Sequence, residues 1–153
     1  MFQHQKVPDT EVEDIIQNDG FWPDISLSDF VRTCRIPPVY NQEQIRNMLI
    51  LAITGVNIEL ESFKQRSMTN GIQSAQRVGA VLEGDSTANI QYKQAVYQRA
   101  KACLLVHFAT LSRKDEAENL AKESDETRDA LMALSQQAIR NIIGIPMATI
   151  RLL

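Results

Sequence analysis

Cys103 and His107 are four residues apart, so on a helix the thiol and the imidazole share one face. A metal held there needs two further ligands, and the other candidates, Cys34 and His4, are distant in sequence. A Cys/His nucleophilic pair needs an orienting Asn or Asp, and none is recognisable nearby. Both side chains therefore read as core, with the imidazole bonded to a neighbouring carbonyl. Gly79, Gly84 and the adjacent Asp85-Ser86-Thr87 lack the lysine and the spacing of a phosphate-binding loop. Carboxylates gather at Glu11, Glu13 and Asp14, and again at Glu116, Glu118, Glu123, Asp125 and Glu126, where they read as solvated faces. No pattern of an active site emerges. The chain is expected to be no enzyme and to hold no metal and no cofactor.

The placement of charge says more than its sum. Sixteen Lys and Arg against nineteen Asp and Glu leave a formal net charge of −3, which argues against binding nucleic acid mainly through phosphate neutralisation. From Asp9 to Val31 there are seven acids and no Lys or Arg. From Ser86 to Lys114 there are five bases and no acid, and from Asp115 to Asp129 seven acids face two bases. After Asp129 no acidic side chain follows. Such blocks can pair helices within one bundle, or they can give a subunit oppositely charged flanks that favour head-to-tail contacts. Lys93, Arg99 and Lys101 are thus candidate contacts to a neighbouring copy. The competing reading pairs them with the last helix of their own chain.

These residues need elements to position them. The 153 residues suit one domain, and a hydrophobic fraction of 44% excludes wholesale disorder. Two cysteines make no disulfide scaffold and fit a reducing compartment. Met1 to Asp14 is polar, without the apolar run of a signal peptide, and the longest apolar stretch, Met48 to Ile53, is far too short to span a bilayer. Residues 1–18 read as an irregular acidic arm. Asp19-Gly20 marks a turn, Phe21 and Trp22 are expected to dock that loop onto the core, and Ser26 caps a short helix with Asp29 at its third position. Pro37-Pro38 ends it.

Asn41 and Gln44 open a second helix, whose apolar residues from Ile45 through Val56 and Leu60 to Phe63 carry it to about Arg66. Gly55 inside it suggests close approach of another helix. Residues 71–88 show no sustained period and read as a long mobile loop. A third helix spans about Thr87 to Leu111. The last runs from after Arg113–Glu118 to Ile143, with an interruption near Ser124–Arg128. Gly144 and Pro146 stop it. The expected core is Ile45, Met48, Leu49, Ala52, Val56, Leu60, Val96, Cys103, Leu104, Phe108, Leu131, Leu134, Ala138 and Ile142. The fold expected is all-α: a small bundle of three long helices and one short one over residues 19–144, with an extended tail at 145–153.

The run Asn18-Asp19-Gly20-Phe21-Trp22-Pro23-Asp24-Ile25, followed by a short helix, resembles the opening of the gpL-type head completion proteins of tailed bacteriophages. The likeness continues through Val56-Asn57-Ile58-Glu59-Leu60, Tyr92-Lys93-Gln94-Ala95-Val96-Tyr97 and Asp125-Glu126-Thr127-Arg128 to Ile142-Ile143-Gly144-Ile145-Pro146 and Thr149-Ile150-Arg151-Leu152-Leu153. It implies a helical head–tail connector that forms a dodecameric ring under the portal protein. Such a ring extends the DNA conduit and docks a tail-proximal neck or tail-terminator protein. DNA would be passing cargo, the site the virion neck after assembly in the host cytoplasm, and no membrane would be involved. The resemblance also implies that the C-terminal segment engages the portal, which makes Ile145, Met147, Ile150, Leu152 and Leu153 candidate contacts. The alternative is a stand-alone cytosolic helical-bundle regulator.

Overall fold

The computed structural model describes the backbone of residues 14–111 and 115–146, and the side chains of 14–107 and 127–146. The elements, in order, are strands β1 (Ile15–Ile16) and β2 (Ile25–Ser26), helices α1 (Leu27–Thr33), α2 (Gln42–Glu59) and α3 (Glu61–Thr69), a 3-10 turn at Ala75–Arg77, strands β3 (Val81–Leu82) and β4 (Asp85–Ser86), then helices α4 (Thr87–Leu111) and α5 (Asp115–Ile143). Each strand pair is antiparallel, with Ile16 opposite Ile25 and Leu82 opposite Asp85. The architecture is thus mostly helical, as expected, with two small sheets that periodicity did not reveal.

Helix α4 is the central element and packs against both α5 and α2. Tyr92, Ala95, Val96, Ala100 and Leu104 of α4 are buried, and Ile45, Leu49, Ala52, Ile53 and Val56 face them from α2. Ser135 of α5 donates to the carbonyl of Ala95 at 2.7 Å, so this close crossing also satisfies a buried hydroxyl. The caps are local chemistry and form as read. Asn41 and Gln44 make a reciprocal capping box, and the Ser26 hydroxyl accepts the Asp29 N–H at 3.1 Å. Ser86 caps α4 by accepting from the Asn89 N–H while donating to the Ala75 carbonyl.

Five expectations change. The expected single helix from 41 to 66 breaks at Leu60, which is fully buried, so α2 and α3 are separate and a second short helix joins the one expected. The expected mobile loop at 71–88 is instead ordered by burial of Ile72, Ala75 and Val78 and closes with the β3–β4 hairpin. Leu134 is 49% exposed rather than in the core, and Met48 and Cys103 are half-buried. Helix α5 runs without interruption through Ser124–Arg128. Its end also differs in mechanism: Gly144 takes no left-handed conformation, and its N–H still bonds to the Arg140 carbonyl before Pro146 stops the helix. Phe108 falls outside the described side chains.

Candidate interaction surfaces

The loop that joins β1 to β2 is fixed by the side chains it contains. Asp19 accepts the N–H groups of Phe21 and Trp22, both at 3.0 Å, and pairs with Lys64 of α3 at 3.1 Å. Burial alone would raise the Asp19 carboxyl, but the bonds from Trp22, Lys64 and Phe21 outweigh it and hold it below the ordinary aspartate value. Trp22 then stacks on Tyr92 with ring centroids 4.7 Å apart, and on Phe63 at 6.1 Å. The Tyr92 hydroxyl donates to Asn57 at 2.5 Å and accepts from Asn18 at 2.8 Å, while Asn57 donates to Asn18 at 3.0 Å. This closed ring of three polar side chains ties the loop, α2 and α4 together. Burial pushes the Tyr92 phenol far above its usual value, so it remains protonated and keeps donating.

A second polar cluster lies where α2, α4 and α5 meet. Arg99 of α4 pairs with Glu59 of α2, and Gln136 of α5 donates to the same carboxylate at 3.0 Å. Burial would raise Glu59, yet the bonds from Gln136 and Arg99 prevail and lower it. A methyl group built on Gly55 would sit 2.7 Å from the Arg99 guanidinium, so the glycine admits the close approach its position suggested. Within the chain, two of the candidate cations find partners other than the last helix. Lys93 pairs with Asp85 at 3.2 Å and Arg99 with Glu59, partners from the hairpin and α2 rather than from the last helix. Lys101 is half-exposed, without an ion-pair partner among the described residues.

Cys103 and His107 lie one turn apart on α4, and the imidazole contacts the Gln44 amide at 3.2 Å. Burial pushes both thiols up, so neither Cys34 nor Cys103 is poised as a nucleophile. Among the described residues no cluster of three or more His, Cys, Asp or Glu could hold a metal, and no helix is long and apolar enough to cross a membrane.

What the surface does offer is apolar area in separate places, none of it singled out by sequence. Leu51 and Ile58, seven residues apart on the outer side of α2, are 61% and 71% exposed. Val81 and Leu82 stand out at the β3–β4 hairpin, and Leu134 edges a groove between α4 and α5. The signal was available for α2: Ile50, Leu51 and Ile58 fall off the stripe that Ile45, Leu49, Ala52, Ile53 and Val56 define. Of the candidate portal contacts, Ile145 packs against the core beside Gly79. Met147, Ile150, Leu152 and Leu153 lie outside the described residues.

A helical chain with apolar side chains exposed in several places is compatible with the class of structural, partner-binding proteins. Comparison with known proteins narrows the class. Residues 16–153 match the model of the phage head completion protein (GPL) family. The chain is also 32% identical over 131 residues to a probable head completion/stabilization protein of Haemophilus phage HP1 (strain HP1c1), an alignment covering 85% of this chain and 86% of that protein. No solved structure matches. The chain belongs to the phage head completion protein (GPL) family, and its role is that of a structural protein of the phage head.

Proposed function

We propose that this chain is a head–tail connector: copies form a dodecameric ring beneath the portal, extend the DNA channel, and dock the next neck or tail component. The observation that carries the reading is the family match over residues 16–153, which takes in every helix and the C-terminal segment beyond them. Exposed apolar side chains on α2, on the hairpin and on α5 support it, because a subunit held between a portal, its neighbours and a tail-side partner needs more than one contact surface. The net charge of −3 suits a channel through which DNA slides as cargo without tight binding.

In this reading Ile145, Met147, Ile150, Leu152 and Leu153 engage the portal, and Lys93, Arg99 and Lys101 face a neighbouring copy. Lys101, without an intrachain ion pair among the described residues, is the cation of choice for a charge reversal. Removal of residues 147–153 should preserve the cooperative unfolding transition and abolish docking onto DNA-filled heads. If the truncated protein docks normally, the tail is not the portal contact. If the intact chain ignores heads altogether and stays free in the host cytoplasm, a stand-alone regulator takes the place of the connector.

A further inference from the structure

We propose that the β3–β4 hairpin tip of one copy seats in the α4–α5 groove of the next, a knob-in-socket contact between copies that rests on the connector reading above. The knob is Val81 and Leu82, 60% and 61% exposed, on a ribbon whose strands are two residues long. A hairpin this short contributes little stability by itself, so large apolar side chains on it have no folding role that smaller polar ones could not fill.

The residue at the turn points the same way. Glu83 and Gly84 both adopt positive φ, +49° and +81°, the pattern of a two-residue hairpin connection that Asn-Gly favours. Glutamate is a poor choice for that backbone. Its presence at the tip, against local preference, is the kind of strain that persists where a side chain has another task.

The socket is a groove of about 300 Å³ in which Ile90 of α4 and Leu134 and Ala138 of α5 supply the apolar lining. Gln91, Gln94, Gln137 and Asn141 complete it, so it carries no charge of its own. Arg140 hydrogen-bonds Gln137 at its edge, and the sequence has no acid beyond Asp129. Apolar knob meets apolar groove, and the acidic tip at Glu83 meets a flank whose charge is basic. Because the two patches are different parts of one chain, the contact is heterologous and passes from copy to copy.

Cross-linking in assembled particles tests this. A chain carrying both Leu82→Cys and Leu134→Cys, oxidised in purified virions, should give a ladder of trimers and longer species on a denaturing gel. Each single variant, which also reports any link through Cys34 or Cys103, should give no species longer than a dimer. Virions that contain the chain yet yield no ladder, or dimers alone, overturn the contact while leaving the connector reading intact. Virions that lack the chain overturn the connector reading and this contact with it. Glu83 supplies a second measurement. Glu83→Lys should lower incorporation into particles about tenfold, as expected of a like-charge contact with Arg140. Glu83→Asn, which suits the turn better, should melt no lower than the native chain and still incorporate less. Unchanged incorporation of both variants would remove Glu83 from the contact and overturn the charge pairing that orients it.

Discussion

Two hairpins with strands of the same length meet opposite fates in this molecule. Both are antiparallel pairs of two-residue strands, and neither could stand alone in water. The β1–β2 hairpin carries Ile16, Phe21, Trp22 and Ile25, all buried. The β3–β4 hairpin carries Val81 and Leu82, both mostly exposed, and is fixed instead by polar bonds at its base. There Thr87 donates to the Ala80 carbonyl through its N–H and its hydroxyl, both at 2.8 Å, and Asp85 pairs with Lys93. One hairpin is held by what its side chains bury, the other by how its ends are tied. That distinction separates a part of the core from a part free to meet another chain.

The sharpest way to break the comparison is to truncate each hairpin's largest side chain. Trp22→Ala should destabilise the protein by about 3–5 kcal/mol, since it empties a site stacked between two aromatic rings. Leu82→Ser should change stability by no more than about 0.5 kcal/mol. Chemical denaturation followed by circular dichroism checks both. Equal losses would mean the second hairpin is as much a part of the core as the first.

A smaller effect is expected from Tyr92→Phe. The ring stays, but Asn18 and Asn57 lose their shared partner, and about 1–3 kcal/mol should go with it. The same substitution at Tyr40, whose hydroxyl donates to the Leu104 carbonyl at 3.0 Å, provides a comparison outside the hairpins.

The smallest effect is a pH dependence. Asp19 is lowered in the folded state, so its contribution is complete above the unfolded value of 3.8 and is lost as pH falls through the lower folded one. Asp85 is lowered too, burial being outweighed by bonds from Asn89, Lys93 and Ser86. Asp19→Asn should therefore flatten the acid limb of a melting-temperature profile below about pH 5, the upper edge of the range in which a lowered aspartate loses its contribution. Asp85→Asn should flatten it less, because the hairpin it steadies buries so little. A larger effect at Asp85 would reverse the ranking of the two hairpins.

Much of this fold was legible where the chemistry is local. The Asn41–Gln44 box, the Ser26 cap and the limits of α4 follow from residues within a few positions of each other. The break at Leu60 was hidden because Val56, Leu60 and Phe63 are all buried, and a continuous apolar stripe cannot tell one helix from two. The ordered segment at 72–78 left only a trace, three buried residues spaced by three. Leu134 shares helical spacing with Leu131 and Ala138 but lies toward the groove, which only packing decides. The intrachain partners of Lys93 and Arg99 were not legible because Asp85 and Glu59 sit outside the acid-free stretch from Ser86 to Lys114.

The chain has a single tryptophan, and it is the residue clamped between Tyr92 and Phe63. Its emission is consequently an optical tag for one place, the seating of the first loop on α4, and is blind to the hairpin and to α5 unless they disturb that seat. A titration with portal or with further copies that shifts the colour of this light would reveal strain transmitted to that seat. One that leaves it unchanged would describe a rigid part fitted into a larger machine.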